Sequence, residues 1–329
     1  REQQVTAWHR HIFGGRFGQA TVTVTDYANI ANGTRIVLTK ADGTTTTFTS
    51  ATSATSGKFH TTSSNNQTAT NLKTLIDADS NFTATVNSNV VTITETSPLS
   101  TGFLTIKSLD DATRLTSTNE GKAVCESVSV IPTDDSEYQT WVIVKRTING
   151  ITRRFVEFIN TFDFTETDNT TFNFLDSALA YAGSAVTTIS GLDHLEGQTV
   201  GILANGATHP DKTVSSGSIT LDRSSTNVKV GLAYNSILQT MRIDAGSQNG
   251  TSQGKTKRIY EITIRLFESI GVEVGETLDN MERIPFRTSF DPMDEGLPTF
   301  TGDKAVEFRG NYDTDGFIFV RQTQPLPLT

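Results

Sequence analysis

Only one stretch of this 329-residue chain, residues 66–77, places its apolar residues at helical spacing. There Ala69, Leu72, Leu75 and Ile76 fall on one face, and Ser64 to Asn66 supply side-chain oxygens suited to capping a helix start. Elsewhere apolar residues alternate with polar ones over short runs bounded by Gly, Pro, Asn, Asp and Ser, the period of half-buried strands. A chain patterned this way folds as mainly β structure.

Between Thr21 and Asn119, 38 of 99 residues are Ser or Thr and only 13 are charged. The branched Cβ of threonine suits a pleated surface, so this composition, mixed with periodic Val, Ile and Phe, specifies a solvated sheet rather than a disordered tract. Strands are expected at 21–25, 35–39, 44–50, 82–86, 90–94 and 104–107. With the one helix they make residues 18–120 a small Thr/Ser-rich α+β domain.

On either side of that segment the texture is different. Residues 3–11 read as a strand centred on Trp8, and 122–131, 139–147 and 151–158 read as three more. The turn at 132–136 and Asn149-Gly150, the strongest two-residue hairpin signal, join the last three. Four such antiparallel strands make a β-propeller-like blade, so residues 1–17 and 121–188 form the blade region and 18–120 interrupts it. Residues 189–250, punctuated by Asn205-Gly206, Pro210-Asp211 and Ser216-Gly217, read as a β-barrel/sandwich platform. Residues 251–329 read as closing β-strands that pack back on the blades, with one long strand over 257–267.

The formal net charge of −9 and a pI near 5.1 lack the basic footprint of a protein that grips nucleic acid. They are compatible with a wall past which DNA slides. A single cysteine, Cys125, excludes an internal disulfide, and its neighbours Val124 and Val128 predict a buried, inert thiol. No apolar run approaches the roughly 18 residues of a membrane span, and no signal peptide or membrane anchor is read. The chain opens on Arg1 and stops after Thr329, and is expected to be a fragment or a processed product.

Residue patterns for chemistry are weak. His9 and His11 share one face of a strand, but no third ligand lies at a telling spacing, so no metal, cofactor or catalytic residue is assigned. His194 and His209 read as structural. The carboxylates at Asp110-Asp111, Asp134-Asp135, Asp291 to Glu295 and Asp313 to Gly316 sit in turns, where Asp satisfies its own backbone. The densest basic run, Lys255, Lys257 and Arg258, is the candidate site for contact with nucleic acid or a neighbouring subunit; Arg146, Arg153 and Arg154 form a smaller run. The alternative for both is a solvated strand end or a salt-bridged subunit contact.

The segment Gly191-Leu-Asp-His-Leu-Glu-Gly-Gln-Thr-Val-Gly-Ile-Leu-Ala-Asn-Gly206 resembles a signature of the tail nozzle (tail tubular) proteins of short-tailed bacteriophages. Gln3 to His11 with Glu126 to Pro132, Trp141 to Gly150 with Arg154 to Glu157, and the pieces Leu221 to Arg223, Val228 to Tyr234, Thr240 to Arg242 and Gln253 to Ile259 match the same family. Residues 18–120 depart from it and look like the Thr-rich decoration domains of phage virion proteins. The resemblance implies a non-enzymatic virion protein made in the host cytoplasm. It would form a homohexamer, a sixfold ring below the portal and the tail adaptor protein. That ring would be the distal tail tube, holding the genome until infection, conducting double-stranded DNA without sequence readout and mounting tail fibres. Nozzle proteins carry propeller-like blades and a β-barrel platform. The inserted domain would face outward, toward fibres or a host surface glycan or receptor. A capsid decoration protein or host-surface-binding adhesin would explain residues 18–120 but leave the Gly191 segment unexplained. A tail-associated hydrolase lacks a visible acid pair or nucleophile.

Overall fold

The computed structural model describes residues 11, 13, 18–40, 44–96, 105–120, 123–132, 138–148, 151–160, 168–243, 251, 253–278, 280–292, 295–307 and 310–328. Among them the chain is mainly β, with one α-helix, and its sheets are open: none closes on itself. The chain divides into two units, residues 1–96 with 103–160, and residues 97–102 with 161–329.

In the first unit, the described strands between residues 19 and 120 pair only with one another. One sheet has the order Phe82–Asn87, Val90–Glu95, Gln19–Val24, Leu115–Glu120; the other has Phe59–His60, Thr45–Ala51, Arg35–Thr39, Thr105–Leu109. Both sheets and the helix Asn65–Asp77 contribute to one core that includes Val22, Ile36, Leu38, Phe48, Phe59, Leu72, Ile76, Phe82 and Ile93. Ser64 caps the helix by accepting from the Gln67 amide at 3.1 Å. Asn65 ties the helix start to the Thr25–Tyr27 stretch, accepting from the Tyr27 amide at 2.8 Å and donating to the Thr25 carbonyl at 2.9 Å. Ala69, Leu72 and Ile76 are buried and Leu75 packs at the margin, the face the spacing predicts. Gln19 pairs with Glu120, so the segment enters and leaves on adjacent strands, about 5 Å apart.

The same unit holds a three-stranded antiparallel sheet with Tyr138–Ile148 between Ala123–Pro132 and Ile151–Ile159. Ile148 pairs with Ile151, leaving a two-residue connection at 149–150, the place of the Asn-Gly signal. That turn, the turn residues 133–136 and residues 3–10 of the strand expected at 3–11 lie outside the described residues. Val142, Val144, Arg146 and Ile148 are buried on one face. Arg146, 1% exposed, forks onto both carboxylate oxygens of Glu157, and its Nε donates to the Phe13 carbonyl at 3.0 Å. That bond ties the residue after the expected first strand to the sheet's centre. Cys125 corrects the sequence reading: it is exposed, and so are Val124 and Val128. It sits on an outer strand beside the irregularity at Ile143/Val144, where Glu126 is skipped in the pairing.

The second unit contains a sheet ordered Asp176–Ser190, Ser218–Leu232, Thr199–Ala204, Ala207–Thr213. Its first strand runs across the 188/189 position read as a boundary and pairs with Ser218–Leu232 over its length, with bulges. A second sheet is ordered Ser236–Gln239, Phe319–Gln322, Glu273–Thr277, Asn280–Arg283. The long strand expected over 257–267 is two strands. Lys257–Arg258 pairs with Tyr312–Asp313, whereas Glu261–Ser269 pairs with Phe300–Glu307, because different partners compete for the two halves. Leu266, Val272, Val274 and Ile284 form the core at this end.

Candidate functional site

The Gly191 segment spends its polar residues on holding the second unit together. Ile189, Leu192 and Leu195 are buried around a short 3-10 turn, Asp193–Leu195. Glu196 accepts from two consecutive amides, Ser216 at 3.0 Å and Gly217 at 2.8 Å. Both residues have positive φ, the geometry of a tight hairpin turn. A Cβ on Gly217 would fall 2.5 Å from Asp193 Oδ1, so the turn and the 3-10 segment are fitted to each other. Asn205, in the second tight turn, accepts from the Thr226 and Asn227 amides at 3.1 and 3.0 Å. Gly231 allows a close crossing, since a Cβ there would lie 2.7 Å from the Asp176 carbonyl. His194 Nε2 lies 3.1 Å from the Ser177 carbonyl. His209 Nε2 accepts from the Asp222 amide at 2.9 Å while Nδ1 donates to the Pro210 carbonyl at 2.7 Å, fixing the tautomer. Both histidines are structural.

The predicted basic residues are engaged unequally. Lys255 is exposed. Lys257 Nζ donates to the Thr314 carbonyl at 3.0 Å, and Arg258 Nε donates to the Gly310 carbonyl at 3.1 Å with its guanidinium 5.8 Å from the Tyr312 ring centroid. Arg242, which the sequence reading left aside, joins them: it lies 3.3 Å from Asp315 and stacks 5.5 Å from the Phe317 ring centroid. Met241, Ile243, Tyr260 and Tyr312 are exposed nearby in sequence or space. Arg and Tyr beside Met, with half the basic donors already spent on carbonyls, is the composition of a protein contact more than of a phosphate grip.

The acidic turns are self-satisfied. The Gly316, Asp315 and Thr314 amides, with Lys257 nearby, hold the Asp313 carboxyl below its ordinary range. Asp291 is lowered by the Thr288 amide and hydroxyl, and Asp110 by Arg35. Asp111 pairs with Arg114 at 3.1 Å. Among the described residues no three His, Cys, Asp or Glu side chains cluster to hold a metal ion. His9 and the pair Asp134-Asp135 lie outside those residues; His11 stacks edge-on against Phe13, centroids 4.7 Å apart.

A surface that sequence reasoning did not single out lies on the other face of the three-stranded sheet. Trp141 pairs across with Phe158, and Ile143 with Val156, with Ile131 alongside. Val156 is 67% and Phe158 50% exposed, and the Trp141 and Phe158 rings lie 5.4 Å apart. At one end Glu126 receives Arg154 at 2.6 Å and Lys145 at 3.4 Å, and its carboxyl is lowered chiefly by Arg154. The alternation Trp141, Ile143 against Val142, Val144 is readable in the sequence as an apolar run without polar relief, the mark of a strand covered on both sides.

No helix among the described residues is long and apolar enough to cross a membrane. No protein-family model and no curated protein matches the chain.

Proposed function

We propose that this chain is a structural subunit of the tail nozzle of a short-tailed bacteriophage: one of six in a ring that retains the genome, then conducts it, and on which tail fibres mount. The observation that carries the reading is the Tyr138–Ile148 sheet, whose buried face carries Val142, Val144 and Ile148 and whose opposite face carries a second apolar patch, Ile131, Val156 and Phe158 exposed beside Trp141 and Ile143. A propeller blade is such a layer, packed between neighbours on either side, whereas a lone surface sheet turns one polar face to water. Residues 1–17 and 121–160 are accordingly read as the blade region and the sheets after it as the platform, because Asp176–Ser190 pairs with Ser218–Leu232 in the second unit. The self-fitted Gly191 segment supports a rigid platform. An acidic subunit suits a conduit along which phosphates pass without binding. Lys257 and Arg258, already bonded to backbone carbonyls, fit a subunit or adaptor contact better than a grip on DNA.

The capsid-decoration or adhesin reading keeps one specific support, the private core of residues 18–120. Within the nozzle reading the same core marks an inserted, outward-facing domain. Immunogold labelling of particles separates the two. Label confined to the tail end distal to the capsid is expected; label spread over the capsid would replace the nozzle with a decoration protein.

A further inference from the structure

Between the helix Asn65–Asp77 and the strand Phe59–His60 with the loop before it runs an open groove of about 540 Å³. We infer that this groove binds an acidic saccharide, through Lys58 to its carboxylate and through Asn71, Thr74 and His60 to its hydroxyls. The inference rests on the reading that residues 18–120 face a host surface, and gives that surface a chemistry.

The floor is apolar and small: Leu75 and Ala78 lie one helical turn beyond Asn71 and Thr74, leaving a smooth strip for the C–H face of a sugar ring. The rim is polar and held in place. Asn71 donates to the His60 carbonyl at 2.7 Å, and its oxygen accepts from Gln67 at 3.2 Å, so its amide is oriented with one N–H to spare. His60 Nε2 lies 3.1 Å from the Thr52 carbonyl and donates to it, which leaves Nδ1 as an acceptor. Thr74 donates back to the Thr70 carbonyl at 3.0 Å, which leaves its oxygen lone pairs outward. Donors and acceptors therefore alternate along one apolar strip, the arrangement that polyhydroxyl compounds satisfy.

The charge selects among saccharides. The chain carries nine more acids than bases, yet among the described residues no Asp or Glu lines this groove. Lys58 lines it, and among the described residues its ammonium has neither a hydrogen bond nor an ion pair, whereas Lys73 on the same helix is paired with Asp77 at 2.5 Å. An unneutralised cation in a carboxylate-free groove of an acidic protein favours a ligand bearing a carboxylate.

The test is isothermal titration calorimetry of the full chain with trigalacturonate and, separately, with neutral maltotriose. Trigalacturonate is expected to bind about tenfold or more tightly than maltotriose, and Lys58→Glu, an exposed change that leaves the core alone, is expected to lose about tenfold or more of that affinity. Thr74→Val, which removes the acceptor and keeps the shape, is expected to weaken it further. Equal affinities for the two sugars, no heat with trigalacturonate at millimolar concentration, or unchanged binding by Lys58→Glu would each overturn the inference. Labelling and copy number in the particle do not depend on this groove, so its failure and the failure of the nozzle reading are separate results.

Discussion

Single residues in the Gly191 segment and the strands it meets decide how closely the second unit packs. Gly231 is the sharpest case, because an added methyl would press on the Asp176 carbonyl and the Leu175 side chain, both in the chain entering the sheet. Gly231→Ala is expected to cost about 1–3 kcal/mol, read as a lowered denaturation midpoint, since backbone cannot yield as a flexible side chain can. Tyr234, at the end of the same run, is pushed up to about 12 from an ordinary 10.0 by burial, with Asp176 adding to it. The sign follows from the neutral phenol being the form the fold prefers. Its contribution is complete below the unfolded value of 10.0 and is lost as pH rises toward about 12. In an alkaline absorbance titration of the folded chain, Tyr234 should ionise in a late step, and Tyr234→Phe should remove that step. A titration whose late step survives in Tyr234→Phe, or that has no late step, would contradict the assignment.

At the scale of the element, the three-stranded sheet depends on a buried charge. Arg146 is enclosed among Val142, Val144 and Ile148, and Glu157 with the Phe13 carbonyl answers its charge. Arg146→Ala strands the Glu157 carboxylate against an apolar face and is expected to cost about 3–5 kcal/mol; replacing both residues by Met and Gln should cost clearly less. A double variant as unstable as the single one would show that the pair is incidental. The elements that were legible in the sequence are those with periodic apolar residues: the helix, the Trp141 strand, and Arg35–Thr39 with its buried Ile36 and Leu38. Leu115–Glu120 and Asp176–Ser190 are among the strands that were not. Leu115–Glu120 has a single apolar residue and exists because it completes the sheet beside Gln19–Val24. Asp176–Ser190, rich in Ala, Ser and Gly, has little alternation of its own and takes its register from Ser218–Leu232. Partner strands decide such segments, and a partner is not visible in local pattern. For the same reason the basic run at Lys255 was legible as charge, while Arg242, brought beside it by the 312–317 turn, was not.

For the whole molecule, the paired entry and exit strands make residues 18–120 removable in principle. A chain joining residue 17 to residue 121 through a short turn is expected to keep the folding transition of the remainder and to assemble as before, while losing trigalacturonate binding. Failure of that chain to fold would tie the segment to the core of the three-stranded sheet rather than to its rim. Assembly should also depend on the Trp141 face. Trp141→Ser together with Phe158→Ser, at half-exposed or exposed positions, is expected to abolish incorporation into particles while leaving the soluble chain folded by circular dichroism. The central claim, a sixfold ring, is tested most directly by the copy number of this protein in purified virions, from quantitative peptide mass spectrometry against the portal. The account predicts about half the portal's number, as a sixfold ring on a dodecameric portal requires. Hundreds of copies per particle, or none, would contradict it.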